Sequence, residues 1–398
     1  MKRRDLLKAL ASLPLVSAAG SLYAAPAVNS KLLLVFLRGG YDAANLLVPV
    51  SSPFYYEARP NIAIGRPGAD MNAALPLDAD WGLHPALRDS VFPLFTAGQA
   101  AFIPFAGTDD TSRSHFETQD AIELGQPAGR GRDFQSGFLN RLVMELNGTD
   151  AIAFTDRLPL VMQGRAQVPN TALRAIGKPG VDARQSSLIA SMYQGTKLAQ
   201  QVNEGFSLRD EVMREMSGEM SGEMQAANRN AISTKGFEAE ARRIAKLMRD
   251  KYNIGFVDVG GWDTHVGEGG ATGALANRLD ELGRGLAAFA QEMGNAWRES
   301  VVVVISEFGR TFRENGNRGT DHGHGSVYWV LGGGVRGGRI AGEQVRVAQA
   351  TLFQDRDYPV LNEYRAVLGG LFARLYGLNA AQLERVFAGV RARDIGVI

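Results

Sequence analysis

The chain has 398 residues, with 43 Lys and Arg against 42 Asp and Glu, five His and no Cys. So balanced a charge offers no field to draw in nucleic acid or an anionic membrane surface, and the lack of cysteine excludes disulfides and thiolate metal sites. Any metal must rest on His, Asp, Glu or main-chain oxygen, a donor set that suits zinc, manganese, magnesium or calcium.

Residues 1–27 read as a twin-arginine signal peptide. Lys2, Arg3, Arg4 and Lys8 make a positive start, Leu6 to Ala19 is mostly apolar and small with a break at Pro14, and Ala25-Pro26-Ala27 is a small-residue cleavage site. Arg3-Arg4 followed by Asp5-Leu6-Leu7-Lys8 has the twin-arginine form. The apolar stretch falls short of the ~20 residues that span a bilayer, and no later stretch is long and apolar enough. The expectation is a periplasmic or secreted protein that meets the twin-arginine translocation machinery and then keeps no stable membrane span. Removing these residues takes away four positive charges and one negative, which leaves the remainder near −2.

Residues 28–398 are expected to form one α/β domain. In chain order, Lys31–Leu37 (KLLLVFL), Ala100–Ala106, Leu158–Gln163, Ile254–Val259, Val301–Ile305 (VVVVI) and Ser326–Leu331 read as buried strands. Continuous apolar runs of this length suit parallel strands covered on both faces. Gly236–Tyr252, Ala274–Trp297 and Asn362–Leu378 carry apolar residues at helical spacing. Strands alternating with helices predict a doubly wound, mostly parallel sheet flanked by helices. A helical insertion is expected around residues 185–250. It includes the repeat EMSGEMSGEM at Glu215–Met224, whose methionines read as packing rather than as metal ligands. The glycines at 332–334 and 337–338 read as tight turns, because no helix pattern follows them.

Sites in such sheets form at the carboxyl ends of strands, and polar residues gather there. Arg38-Gly39-Gly40-Tyr41-Asp42 follows the first strand, residues 107–116 the second, and Gly260-Gly261-Trp262-Asp263-Thr264-His265 the Ile254 strand. Ser306-Glu307-Phe308-Gly309-Arg310 follows VVVVI, and Asp321-His322-Gly323-His324 precedes Ser326. Four of the five histidines, His115, His265, His322 and His324, lie in these loops; the other is His84. Asp263 and His265 are spaced for one ion, since residues i and i+2 of an extended segment point the same way. Asp321, His322 and His324 add a carboxylate and two imidazoles, and Asp42 and Glu307 further carboxylates. Such a shell holds one or two divalent ions, which polarise a phosphoryl or sulfuryl oxygen and orient a nucleophile.

Ser114 is the candidate nucleophile, with Thr111 and Ser112 as rivals. It stands before a helix predicted to begin at His115, whose free N–H groups favour an anion; a serine there also suits an N-cap. Arg38, Arg113 and Arg310 can bind substrate oxygens in forked geometry or serve as structural ion pairs. The catalytic set is thus Ser114, His115 and Arg310, beside the metal set Asp42, Asp263, His265, Glu307, Asp321, His322 and His324.

The segments LRGGYDAANLLVP at 37–49, SHFETQDAIE at 114–123, GWDTHVGE at 261–268, SEFGRTFRENGNRGTDHGHG at 306–325 and GGGVRGGRIAG at 332–342, with the signal peptide, resemble the secreted bacterial family catalogued as domain of unknown function 1501. That family is similar to the alkaline phosphatase and sulfatase superfamily, so the resemblance implies an alkaline phosphatase-like α/β fold with a metal site at the strand ends. It puts Asp42 at the first metal-binding aspartate, Asp263 and His265 at an aspartate and histidine that the superfamily spaces more widely, and His322 or His324 at the last histidine ligand. Ser114 falls roughly at the nucleophile. The sequence departs at Glu307-Phe308, where the superfamily has Asp-His. Phenylalanine cannot bind metal, so either Asp321-His322 substitutes or the second metal is absent. The expected function is an exported metal-dependent hydrolase of phosphate or sulfate esters, with a small-molecule or envelope ester as substrate. The alternative is a non-catalytic periplasmic binding or assembly protein on a hydrolase-like fold.

Overall fold

The computed structural model describes residues 30–127, 131–147, 149–172, 191–196, 198–199, 202 and 236–398. The expected signal peptide, the methionine repeat and most of the expected insertion lie outside the described residues. The strands are β1 (Lys31–Leu37), β2 (Leu47–Val48), β3 (Leu75–Pro76), β4 (Gly82–Leu83), β5 (Ala100–Gly107), β6 (Ala151–Ala153), β7 (Ile254–Val259), β8 (Ser300–Ser306), β9 (Ser326–Leu331), β10 (Arg339–Ile340) and β11 (Asn362–Glu363). The α-helices are α1 (Ala43–Leu46), α2 (Pro53–Ala58), α3 (Val91–Thr96), α4 (His115–Leu124), α5 (Phe138–Glu145), α6 (Phe237–Asp250), α7 (Ala274–Met293), α8 (Tyr364–Tyr376) and α9 (Ala380–Val386).

The main sheet runs β10-β5-β9-β8-β1-β7-β6, with β11 also paired to β5. β1 is parallel to both β7 and β8, and β6 is parallel to β7. β9 is antiparallel to both β5 and β8, so the sheet is mixed but mostly parallel. This reversal positions the site. Because β9 runs backwards, the chain that leaves β8 at Ser306 returns at Ser326 on the edge where β1, β5 and β7 also end.

β1 is apolar at every position after Lys31 because both its faces are covered. Leu33, Val35 and Leu37 join the core that includes Ile244 and Leu247 of α6 and Leu279 and Leu286 of α7. Leu32, Leu34 and Phe36 join the opposite core, with Leu139 of α5, Leu368 of α8 and Leu383 of α9. Each such side chain contributes about 1.5–3 kcal/mol when fully buried. Glycine inside α7 has a packing reason: a Cβ at Gly285 would lie 2.3 Å from the Phe237 ring, so only glycine lets α6 approach α7 this closely.

The predicted strands at 31–37, 254–259 and 326–331 match the observed spans, and those at 100–106 and 301–305 each gain a residue or two. Leu158–Gln163 is not a strand; it is a loop with a 3-10 turn at Leu160–Met162. Pro159 lacks an N–H for a ladder, and side chains satisfy this backbone instead: Glu123 accepts from Val161 N–H, and Asn140 donates to the Met162 carbonyl. Among the described residues no helix is long and apolar enough to cross a membrane.

Candidate metal centre

Three histidine side chains from three strand-end loops meet at this edge. His115 opens α4, behind the N-cap Ser114. Arg113, just before the cap, adopts a left-handed φ of 55°, uncommon for a side chain with a Cβ. Its carbonyl lies 3.1 Å from Nδ1 of His322. Nδ1 of His115 lies 2.8 Å from Oε1 of Glu307, and Nδ1 of His265 lies 3.2 Å from Oδ1 of Asp321. Each Nδ1 thus has an oxygen acceptor, which in the neutral rings assigns the proton there and leaves Nε2 as the acceptor; that of His265 also faces Nη1 of Arg310 at 3.4 Å.

The Nε2 atoms of His115 and His265 both lie against that of His322. His322 Nε2 is 2.9 Å from His115 Nε2 and 3.1 Å from His265 Nε2. Asp263 Oδ1 lies 3.0 Å from His265 Nε2 and 3.2 Å from His322 Nε2, and Oδ2 lies 3.7 Å from His115 Nε2. The ligand atoms of His115, Asp263 and His322 all fall within 4.8 Å of one another. Nitrogens this close must share either a ring proton, as in an N–H···N bond, or a metal ion. An ion held at ~2.0–2.1 Å by each nitrogen would set its ligands roughly 3 Å apart. The donor chemistry therefore fits a divalent ion held by His115, His265, His322 and Asp263.

The groups behind these donors are themselves held. Glu307 is fully buried and receives the Gly39 N–H and the Gln119 amide, each at 2.8 Å. Burial pushes its carboxyl up, but the bonds from His115 and Gln119 outweigh this, and it stays below its usual range. In turn the Glu307 bond raises His115. Burial and then the neighbouring His115 lower His322. For Asp263, burial acts upward but the Arg310 guanidinium prevails, so the carboxylate stays ionised. The Arg310 side chain has 0% exposure; it sits behind Asp263, bonded to Oδ1 and to the Trp262 carbonyl. Phe308 is buried with its ring 4.9 Å from that of His115 and 5.1 Å from that of His322. Gly40, at φ +62°, backs that ring: a Cβ there would lie 2.5 Å from it.

Other residues singled out by the sequence lie elsewhere. Asp42 is not brought into this donor group. It is fully buried, caps α1 through the Ala44 N–H, and gives both carboxylate oxygens to Arg59. His324 is buried with its ring 4.8 Å from Phe353, and burial lowers its pKa. Asp321 stands behind His265, where it also accepts from Asn315. Ser114 carries a long cap bond of 3.5 Å from Glu117 N–H, and Ser112 touches Thr118 at 3.4 Å. Arg38 is paired with Glu123 and Asp258, and Arg113 with Asp357. His84 is a buried structural residue: its Nδ1 accepts from Ala86 N–H, its Nε2 faces the Gly270 carbonyl, and burial lowers its pKa to about 4. Gln119 was missed from the sequence. The signal was present, because Gln119 follows His115 by four residues and so shares its helix face.

The chain has structural similarity to a protein of the alkaline phosphatase superfamily from Vibrio parahaemolyticus, at 13% identity and a TM-score of 0.34, over 77% of this chain and 62% of that one. It thus spans less than two thirds of that protein's length. It is also similar to the lipoteichoic acid synthase LtaP from Listeria monocytogenes (9% identity, TM-score 0.40, 92% and 75% of the two chains). A third similar structure is a 2-O GAG sulfatase (10% identity, TM-score 0.38, 91% and 73%). No curated protein matches the sequence. Residues 29–387 match the family described as protein of unknown function, DUF1501, and the chain belongs to that family.

Proposed function

We propose that this chain is an exported, metal-dependent hydrolase of phosphate or sulfate esters. One observation carries the reading: ligand atoms of His115, His322 and Asp263 lie within 4.8 Å of one another, His265 Nε2 lies 3.1 Å from His322 Nε2, and every Nδ1 behind them is held by an oxygen. A divalent ion held there would supply Lewis-acid polarisation of an ester oxygen and neutralise charge that develops on it. Around it, Glu307, Asp321 and the Arg113 carbonyl fix the three rings, and Arg310 keeps Asp263 ionised and aimed. We assign the nucleophile to Ser114, whose hydroxyl immediately precedes His115 and is only weakly engaged at 3.5 Å. The start of α4 adds N–H groups that favour an anionic ester. The twin-arginine pattern over residues 2–8 supports export through that machinery to the periplasm.

The test is purification from the native periplasm, elemental analysis, and assay against a panel of aryl phosphate and sulfate esters. Bound divalent metal with turnover of at least one ester class is the expected result; absence of metal after gentle purification overturns it. A second reading, a non-catalytic binding or assembly protein, is favoured by Phe308. Its buried ring packs against those of His115 and His322 at the place where the resemblance implies a histidine ligand. Bound metal without turnover on any ester would support that reading.

A further inference from the structure

We propose that Glu268 is a positioning residue of the metal centre, whose carboxyl fastens the loop carrying Asp263 and His265 to the loop carrying Asp321 and His322. The inference rests on reading the centre as a divalent-ion site. Glu268 is fully buried, and its Oε2 accepts from the Thr264 hydroxyl and from the Thr320 hydroxyl, each at 2.8 Å. Thr264 sits between Asp263 and His265, and Thr320 immediately precedes Asp321 and His322. One oxygen atom therefore joins two segments more than fifty residues apart in sequence, at the residue next to each donor or its partner. The main chain follows the same seam: Thr320 N–H donates to the Thr264 carbonyl at 3.2 Å, and Glu268 N–H to the Arg318 carbonyl at 3.0 Å.

The other carboxyl oxygen of Glu268 meets a second acidic group. Its Oε1 has no N–H or hydroxyl partner among the described residues and faces the Asp42 carboxyl, which Arg59 grips from the other side. Glutamine can occupy this place. Its carbonyl can accept both threonine hydroxyls while its amide donates toward Asp42. Alanine cannot, and it leaves both hydroxyls buried without an acceptor. Partners behind metal ligands set ligand aim, and losing one typically weakens ion affinity by about 10–100-fold.

The experiment is a zinc titration of the mature protein, stripped by chelator, against a chromophoric competitor. Glu268→Ala should weaken zinc affinity by about tenfold or more, and Glu268→Gln should restore it to near the wild-type value. Thr264→Val with Thr320→Val leaves the carboxyl and removes both hydroxyls, and should reproduce the loss even where Glu268→Ala folds poorly. Asn140→Ala is the control for mere destabilisation: it frees the loop at Met162 and Ala166 on the other side of the sheet and should lower Tm without changing zinc affinity. Wild-type zinc affinity in the double threonine variant overturns the proposal, as does failure of Glu268→Gln to restore binding. A wild type that binds no zinc overturns the ion reading and this inference with it, whereas normal wild-type binding with unaffected variants removes this inference alone.

Discussion

Nδ1 of His115 lies 2.8 Å from Oε1 of Glu307, a carboxylate with no solvent exposure at the end of the central strand β8. The pair fixes the tautomer of one proposed ligand, and it also makes the ion-free fold sensitive to pH. Glu307 is depressed below its ordinary 4.5, so its contribution is present above that pH and lost as pH falls through the lower folded value. His115 is raised above its ordinary 6.5, so its contribution is present below that pH and lost as pH rises through the higher folded value. The pair is therefore fully stabilising between 4.5 and 6.5. Thermal melts of the stripped protein should show Glu307→Gln costing most in that window and less toward pH 8. Zinc affinity should run the opposite way and rise with pH, since imidazole binds metal only when deprotonated. A Glu307→Gln penalty independent of pH would remove the ion-pair account.

Asp42 and Asp263 make a second contrast. Asp42 and Arg59 are both buried, with 1% and 0% side-chain exposure, and removing one partner of such a pair strands the other. Asp42→Ala should cost about 3–5 kcal/mol in urea unfolding and should weaken but not abolish zinc binding where the protein folds. Asp263→Ala, at a carboxylate 44% exposed, should abolish zinc binding, and its cost in stability comes from leaving the buried Arg310 without its ion-pair partner. If Asp42→Ala abolished zinc binding in a folded protein, Asp42 would belong to the shell that the sequence resemblance implies.

The buried strands were legible because covering on both faces demands continuous apolar runs, and KLLLVFL and VVVVI have no other use. β6 was not, because Ala151–Ala153 is only three residues long and draws its pairing from β7 rather than from its own pattern. Leu158–Gln163 misled because apolar content alone does not show whether a run gains a ladder partner or is pinned by side chains such as Asn140. The loops that carry site residues could be read from rare histidines after strands. How those residues divide between facing the centre and standing behind it could not. Asp42 meets Arg59 and His324 meets Phe353, contacts that only the folded chain creates. Phe308 looked like a missing ligand in the sequence; in the structure it is the wall against which the rings of His115 and His322 pack.

That wall predicts a coupling between Gly40 and Phe308. Gly40→Ala places a Cβ about where the Phe308 ring stands, at a positive φ as well. It should destabilise by roughly 1–3 kcal/mol, in the range of overpacking. Phe308→Ala alone should cost about 3–5 kcal/mol through the cavity it leaves. The double variant should lose less than the sum, because the cavity admits the methyl group, with a coupling of at least about 0.5 kcal/mol. Urea denaturation of all four proteins measures this. Simple additivity would mean that Gly40 is required for its backbone conformation and not for the ring.

Ser114 has two possible duties, N-cap and nucleophile, and one pair of variants separates them. Ser114→Ala removes both. Loss of an N-cap costs about 0.5–2 kcal/mol, and the 3.5 Å bond to Glu117 N–H places this cap at the low end. Asparagine caps helices as well as serine does but offers no hydroxyl, so Ser114→Asn should keep α4 and its stability. If Ser114 attacks the ester, both variants should retain zinc and lose turnover by about a thousandfold or more, as when a nucleophile that works within a larger apparatus is removed. Activity on aryl phosphates and sulfates, measured beside zinc content and Tm, gives all three readouts on one preparation. Asp263→Ala provides the opposite pattern, with metal and turnover lost together. Should Ser114→Asn turn over substrate at the wild-type rate, Ser114 is only a cap, and the nucleophile is a water molecule oriented at the centre formed by His115, His265, His322 and Asp263.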